Sequence, residues 1–238
     1  HQLHRRQRQM CIRDRNGNLN YSFLVKAVAD STLHASISNQ VEFFAVQNPI
    51  PQYSYISSTS VSGDSVLITY LGDNSVGVSE VYLYRSFDNG INFTRIDSEI
   101  NPVFPITFHV LDAMPNERSS MYQVSVLDAC GNQIAYSNVG KTIFLSVDNN
   151  DYALKSLNWN SYVRWEVGVE NYEIRVRQQN MNSFQNVANL DSSFNSYFHE
   201  INNFITPPFE GEVCYKIQAL ELLNSFGEQG ISESNEVC

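Results

Sequence analysis

Apolar and polar residues alternate with a period of two through nearly the whole chain after residue 16. Clear examples are DSVLITY (64–70), SEVYLYRS (79–86), MYQVSVLD (121–128), NYEIRVR (171–177) and VCYKIQALE (213–221). Glycine, proline, asparagine, aspartate and serine separate these runs, and the combination is typical of half-buried strands joined by turns. Convincing amphipathic helical patterns are missing. The sequence therefore predicts an all-β fold.

The pattern also repeats along the chain. Five apolar positions recur at an offset of 91: Ile68, Val81, Leu83, Phe93 and Ile96 correspond to Trp159, Tyr172, Ile174, Phe184 and Val187. Later matches pair Tyr122 with Tyr215 and Ser137-Asn138 with Ser234-Asn235, at offsets of 93 and 97. A partial third copy holds Tyr21 and Ser38-Asn39. A period near 100 residues fits an immunoglobulin-like β-sandwich.

The repeats predict three structural segments. Residues 16–46 are the last two strands of a truncated sandwich, residues 47–145 form a full sandwich, and residues 146–238 form a second one. One tyrosine per repeat is assigned to the tyrosine corner, where a buried ring caps the core and its hydroxyl bonds upstream backbone. These tyrosines are Tyr21, Tyr122 and Tyr215. Trp159 is expected in the core.

The basic stretch RRQRQMCIRDR, residues 5–15, differs from the rest of the chain because it holds five of the 15 lysines and arginines. Its codons can be written so that they match, base for base, a transposon-type sequencing adapter. We therefore predict that residues 1–15 are a disordered, non-native segment translated from library DNA and fused to a fragment of a longer protein. A phosphate-binding arm is the alternative interpretation of such a run.

Charge and hydropathy exclude some classes of partner. The net charge is −10, and removing the five arginines and one aspartate of residues 1–15 leaves −14. Such an acidic body repels phosphate backbones, so we expect no nucleic-acid partner. No apolar run reaches the roughly 18 residues that a membrane-spanning helix needs, so membrane insertion is not expected. A signal peptide is not visible in this fragment.

The cysteines suggest one disulfide. Cys214 opens one predicted strand and Cys238 closes the next, at about equal distances from the intervening turn. Such positions face one another in an antiparallel pair, so a bridge is geometrically feasible, and two unpaired thiols are the alternative. Cys130 has no evident partner and is expected to be a free thiol, or one whose partner has been lost.

The sequence offers little catalytic chemistry. SFDNGINF, residues 86–93, resembles an Asp-box, but as a single copy it is interpreted as a β-hairpin turn. His109 and His199 fall in equivalent strands of separate sandwiches, so they cannot share a metal ion. No nucleophile elbow, phosphate loop or clustered metal-ligand set occurs. We therefore expect no catalytic, cofactor-binding or metal-binding residues.

The best candidates for contact with a partner or glycan are Tyr162 and Trp165, in the predicted loop SYVRW. An exposed indole at the end of a sandwich can stack on a sugar or anchor a protein. The alternative is that Trp165 folds back over the end of the core.

The repeats resemble the fibronectin type III superfamily. YRSFDNGINFTRI, LDACGNQIAYSN, LNWNSYVRW and CYKIQALE…ISESNEVC are similar, more narrowly, to repeats of large surface proteins of gliding Bacteroidetes, which precede a C-terminal sorting domain of the type IX secretion system. The resemblance covers residues 47–238 well and 16–46 weakly. It also implies the Cys214–Cys238 pair and an oxidising, extracellular setting.

Together these features predict a non-catalytic spacer or binding module of a secreted or cell-surface adhesin-like protein. Its partners would be neighbouring domains of the parent chain and an extracellular glycan or protein. The alternative is a set of accessory sandwiches in a secreted polysaccharide-degrading enzyme whose catalytic domain lies outside this fragment.

Overall fold

The computed structural model describes residues 19–28, 34–45, 49–148, 153–179, 181–201 and 211–238. The predicted adapter-derived segment 1–15 lies outside them. The chain divides into two units, His1–Ile50 and Pro51–Cys238. The regular elements bounded within the described residues are all β-strands, which confirms the all-β prediction.

In the first unit these are β1 (Leu19–Phe23), β2 (Lys26–Val28), β3 (Ala35–Ile37) and β4 (Val41–Ala45). The second unit begins with β5 (Ser54–Ser62), β6 (Ser65–Gly72), β7 (Val78–Ser86), β8 (Thr94–Ile100), β9 (Ile106–Val110), β10 (Met121–Asp128), β11 (Gln133–Tyr136) and β12 (Gly140–Lys141). It continues with β13 (Leu145–Asp148), β14 (Leu154–Trp159), β15 (Val169–Gln178), β16 (Gln185–Asp191), β17 (Ser196–Glu200), β18 (Val213–Glu221) and β19 (Ile231–Glu233).

The first unit contains an antiparallel hairpin. Strand β1 pairs with β4, and further toward the turn β2 pairs with β3. The predicted segment 16–46 is therefore built, in its described part, from two antiparallel arms that are each interrupted once.

The second unit contains two sandwiches with the same strand order. In the first sandwich, a sheet of order β5-β6-β9 accompanies a sheet of order β11-β10-β7-β8, with β12 also on β10. In the second sandwich, β13-β14-β17 accompanies β16-β15-β18-β19. Each has its own core, because the alternation along every strand turns one apolar face inward. The second sandwich begins at Leu145, one residue before the predicted boundary.

Strand register confirms most of the repeat. Leu83 pairs with Val124 in the first sandwich, and Ile174 pairs with Ile217 in the second, which reproduces the offset of 91 in strands β7 and β15. The second strand of each sandwich departs from this offset. Its register makes Trp159 equivalent to Tyr70 rather than to Ile68, because Tyr70 pairs with Ile56 and Trp159 with Leu145. Trp159 is buried in the core, as expected.

The Ser-Asn pairs found in the sequence form one recurring structure, which we call the Ser–Asn joint. In the first sandwich the joint is Ser137–Asn138, at the break between β11 and β12. The Ser137 N–H donates to the Val124 carbonyl, and the Val124 N–H donates to Ser137 Oγ, both at 2.8 Å. The hydroxyl thus replaces the backbone carbonyl that a regular antiparallel pair would present to Val124.

The same serine geometry recurs in the other two copies. Ser234 exchanges these two hydrogen bonds with Ile217, at 2.8 and 2.9 Å, and Ser38 exchanges them with Val25, at 2.9 and 2.8 Å. All three serine hydroxyls also donate to the carbonyl of the following asparagine.

In both sandwiches the asparagine of the joint crosses to the opposite sheet. The Ile56 N–H donates to Asn138 Oδ1 at 2.7 Å, and Asn138 Nδ2 donates back to the Ile56 carbonyl at 3.1 Å. Asn235 makes the same two bonds with Leu145, at 2.7 and 3.0 Å. One amide side chain therefore ties the last strand to the first and satisfies two backbone groups at the sheet boundary.

The joint also corrects one tyrosine-corner assignment. Tyr122 pairs with Gly140 and Tyr215 with Val237, each two residues before the partner of its joint serine. The equivalent position in the first unit is Phe23, which pairs with Val41. The assignment of Tyr21 was therefore wrong by two residues, because strand β1 supplies a phenylalanine where the complete sandwiches have a tyrosine.

We predict that Asn235→Ala lowers the free energy of unfolding of the second unit by about 2–3 kcal/mol, because it leaves the Leu145 N–H and carbonyl without their partner. Urea denaturation measures this change. The matched control is Asn39→Ala, whose side chain is exposed and makes no hydrogen bond among the described residues; it should change stability by less than about 0.5 kcal/mol. Equal effects of the two substitutions would contradict this interpretation of the joint.

Candidate functional site

Tyr162 and Trp165 are both 4% exposed and lie between the two sandwiches. Trp165 Nε1 donates to the Ser57 carbonyl at 3.1 Å, and Thr59 Oγ1 lies 3.2 Å from the Tyr162 hydroxyl. The predicted exposed platform for a glycan or partner is therefore absent. The expected alternative, folding back over the core, is met in part, because the rings also pack on strand β5 of the preceding sandwich.

A buried carboxylate sits beside these rings. Glu221 is fully buried and accepts hydrogen bonds from the Tyr55 hydroxyl, from the Gly230 N–H at 3.0 Å and from Asn224 Nδ2 at 3.3 Å. The Tyr55 hydroxyl also accepts the Glu166 N–H at 3.1 Å. Burial raises the pKa of the Glu221 carboxyl above its ordinary range and does the same to the pKa of Tyr55. Because Tyr55 belongs to the first sandwich, this network joins the two.

The remaining contact uses hydroxyl side chains. The Thr59 N–H donates to Ser232 Oγ at 3.0 Å, and the Glu233 N–H donates to Ser60 Oγ at 3.1 Å. Ser58 Oγ donates to the Ile231 carbonyl at 2.6 Å. Strands β5 and β19 are thus held together by serine hydroxyls in place of a backbone ladder. The run SSTS in β5 is the sequence signal that could have indicated this face.

Gly230 fits this interface only because it has no side chain. A Cβ atom there would lie 2.3 Å from the Ser57 carbonyl oxygen, 2.8 Å from Glu221 Oε2 and 3.0 Å from Trp165 Nε1. These atoms are the acceptor, the buried carboxylate and the indole donor of the network just described.

A groove of about 850 Å³ opens beside the interface, lined by residues of both sandwiches. Phe226 and Tyr53 supply aromatic surface, and Gln52 and Gln229 supply amides. Among the described lining residues there is one carboxylate, Glu228, and no lysine, arginine or histidine. An anionic ligand would meet no cation there.

The predicted disulfide is present. Cys214 and Cys238 are bridged, with their Cα atoms 4.0 Å apart. The bridge joins strand β18 to the end of the chain beyond β19. The expectation that Cys130 is free was wrong, because Cys130 is disulfide-bonded. One group of described residues with metal-binding atoms, Glu212 with Cys214 and Cys238, has both its sulfurs in the bridge and so offers no thiolate.

The two tyrosines that occupy the corner position are buried, Tyr122 completely and Tyr215 at 2% exposure. The hydroxyl of Tyr215 pairs at 3.1 Å with Nδ1 of buried His199, a side-chain partner where upstream backbone was expected. Burial lowers the pKa of His199. His109 and His199 lie in equivalent strands but on opposite faces, since His109 is exposed and pairs with Leu67 while His199 points inward.

The Asp-box-like stretch is a hairpin turn between β7 and β8, as predicted. Asp88 Oδ1 accepts the Ser86 hydroxyl at 2.6 Å and the Asn92 N–H at 2.9 Å, and Gly90 has φ of +85°. These donors lower the pKa of Asp88 to about 2. The motif therefore stabilises the hairpin turn between β7 and β8.

The comparisons with known proteins do not reach function. No family model matches the chain, and no curated protein does. Among solved structures it is similar to the chicken CNTN1 FN1-FN3 domains, at 14% identity and a TM-score of 0.31, over 93% of this chain and 74% of that one. The three-plus-four strand arrangement is that of an immunoglobulin-like β-sandwich.

No helix within the described ranges has the length and apolar character required to traverse a bilayer. The interface between the two sandwiches, built around Trp165, Glu221 and Gly230, is the candidate functional site of the second unit.

We predict that Gly230→Ala lowers the free energy of unfolding by about 1–3 kcal/mol, since the new methyl group overpacks the interface. Gly77→Ala is the matched control, because a Cβ there meets nothing within 4 Å. Thermal denaturation of both variants measures the difference. Equal stabilities of the two variants would show that the close packing at Gly230 does not contribute to stability.

Replacing both bridged cysteines, Cys214→Ser with Cys238→Ser, should lower stability by about 3 kcal/mol, because the bridge closes a loop with a sequence separation of 24 residues. Urea denaturation of the variant and of the parent, with and without reductant, tests this. Reductant should destabilise the parent by more than the variant. A parent indifferent to reductant would argue against a stabilising bridge.

His199 should lower stability as the pH drops below about 6.5. Its pKa is lowered from 6.5 in the folded protein, so the unfolded chain binds the proton more readily and acid favours unfolding. Urea denaturation at pH 7.5 and 5.5 should show a smaller pH effect in His199→Gln than in the parent. His109→Gln should retain the parent's pH effect.

Proposed function

We propose that the chain is a spacer and presentation module of a large secreted or cell-surface adhesin-like protein, placed ahead of a C-terminal type IX sorting domain. In this role, neighbouring domains of the parent chain are its constant partners, and an extracellular glycan or protein is the ligand that the parent presents. The observation that carries the proposal is the buried, hydrogen-bonded interface between the two sandwiches.

The short connection between the sandwiches supports this role. Three residues separate β12 from β13, and both ends of this segment are held by one side chain. Asn160 Nδ2 donates to the Thr142 carbonyl at 3.1 Å, and Asn160 Oδ1 accepts the Phe144 N–H at 2.8 Å. The Thr142 N–H donates to the Ser120 carbonyl at 3.0 Å. A linker bonded in this way has few torsions left to move, so the sandwiches keep a fixed mutual orientation.

The Ser–Asn joint reaches the same interface. Asn138 Nδ2, which ties β5 within the first sandwich, also donates to the Arg164 carbonyl of the second at 3.1 Å. The joint that closes one sandwich is therefore also a contact with the next. Domain interfaces that are small and polar usually permit relative motion, and the buried rings and carboxylate described above oppose it.

The disulfide supports an extracellular location. Bridges such as Cys214–Cys238 form and persist in oxidising compartments, and the acidic net charge of −10 keeps a surface protein soluble. Labelling intact and permeabilised cells of the source organism with an antibody against the chain tests location. Labelling confined to permeabilised cells would contradict the proposal.

The fixed orientation of the two sandwiches, on which the spacer role depends, is tested by ¹⁵N relaxation of the full chain. The proposal predicts one common rotational correlation time for both sandwiches. A variant with a five-residue Gly/Ser insertion between Thr142 and Ile143 serves as the flexible reference and should show two. Independent tumbling of the sandwiches in the parent would overturn the spacer role.

A further inference from the structure

The groove beside the interface has an aromatic wall that is held in place by hydrogen bonds. Phe226 lies in the loop between β18 and β19 and is 39% exposed, although its ring packs on Tyr53 and Tyr55 at centroid distances of 5.1 and 5.5 Å. Asn224 fixes this loop, because its Oδ1 accepts the Phe226 N–H at 3.1 Å and the Glu228 N–H at 3.0 Å. The Phe226 ring is therefore immobilised while part of its surface remains available in the groove.

Another part of the lining belongs to the first sandwich and is fixed in a similar way. Asn74 Nδ2 donates to the Phe104 carbonyl, and Asn74 Oδ1 accepts the Phe104 N–H, both at 3.0 Å. Phe104 and Pro105 line the groove beside Thr69 and Leu71 of β6. Because β6 is the central strand of its sheet, bonded to β5 and β9, it has no free edge to which an extended peptide could add.

The polar groups of the groove suit an uncharged ligand. The Tyr53 and Thr69 hydroxyls and the Gln52 side-chain amide make no hydrogen bond among the described residues. They therefore offer both donors and acceptors to a ligand. Glu228 is the one carboxylate of a described lining that contains no lysine, arginine or histidine, so a negatively charged ligand would be repelled.

We propose that this groove binds a neutral oligosaccharide, with one sugar ring packed on Phe226 and sugar hydroxyls bonded to Tyr53 and Gln52. A pyranose ring suits such a site because it presents a C–H face to an aromatic ring and hydroxyl groups around its edge. The volume of about 850 Å³ suits a short oligosaccharide and is too small for a folded domain. Because the lining comes from both sandwiches, the site rests on their fixed orientation in the proposed function.

An array of short neutral glucans, mannans, xylans and chitin oligomers is the probe, and it is screened with the labelled full chain. At least one of these oligosaccharides should bind saturably, and sulfated oligosaccharides on the same array should bind less. In a titration with the bound oligosaccharide, Phe226→Ala should weaken affinity about tenfold. Phe194→Ala is the matched control, because Phe194 is 51% exposed in the turn between β16 and β17, outside the groove, and should leave the affinity unchanged.

Two further variants separate binding from packing. Tyr53→Phe removes only a hydroxyl group, so it should leave the thermal stability unchanged while weakening binding. The five-residue Gly/Ser insertion between Thr142 and Ile143 should abolish binding, because it releases the two parts of the lining from one another.

The outcomes distinguish this site from the spacer role. If ¹⁵N relaxation shows one correlation time and no neutral oligosaccharide binds, the sugar site is overturned and the spacer role stands. Two correlation times in the parent would overturn both. Equal affinities of the parent, Phe226→Ala and Tyr53→Phe would place sugar binding outside the groove. Saturable chemical-shift changes at Phe226 with a proline-rich peptide, and with no neutral oligosaccharide, would assign the groove to a protein partner instead.

Discussion

The amide side chain that crosses between the two sheets is the interaction on which the rest of the structure depends. A sandwich must join its last strand to its first, which lie in different sheets and cannot share a backbone ladder. In Asn138 and Asn235 the amide oxygen accepts the N–H of one residue of the first strand, and the amide nitrogen donates to the carbonyl of the same residue. The preceding serine makes this possible, because its hydroxyl replaces the backbone carbonyl at the break in the strand.

The same joint connects the packing of the two sheets within the first sandwich to the contact between the two sandwiches. Asn138 holds the first strand of its own sandwich and also donates to the Arg164 carbonyl of the next. That first strand, β5, then presents the serine and threonine hydroxyls and the Tyr55 hydroxyl that bind the second sandwich. Loosening the joint would therefore disturb the interface through β5, even though the interface residues themselves were unchanged.

Sequence periodicity predicted the fold class, the repeat and the Cys214–Cys238 pair, because these depend on local alternation and on distances from a turn. The sequence showed that the Ser-Asn pairs repeat, but it did not show that their asparagines bond the opposite sheet. The backbone groups that these asparagines bind lie about 80–90 positions earlier in the chain. Trp165 was misplaced for a similar reason. Its cover, strand β5, is 108 residues away from it, so no local pattern reports it.

The other differences between the sequence prediction and the structure arise from strand register. The alternation along a strand gives the inward face but leaves a shift of two residues undetermined, because such a shift keeps the same face inward. Both Tyr21 and Trp159 were displaced by two positions for this reason. His109 shows the other kind of error, since a shift of one residue puts it on the opposite face from His199.

The tie between the sheets is tested most directly by native-state hydrogen exchange at the Leu145 N–H, which donates to Asn235 Oδ1. The Ile217 N–H, which donates to Ser234 Oγ in the same joint, is the internal reference. If Asn235 holds the first strand, Leu145 exchanges only with global unfolding in the parent, and in Asn235→Ala it exchanges at least tenfold faster than Ile217. Equal protection of the two amides in Asn235→Ala would show that the asparagine does not hold the first strand.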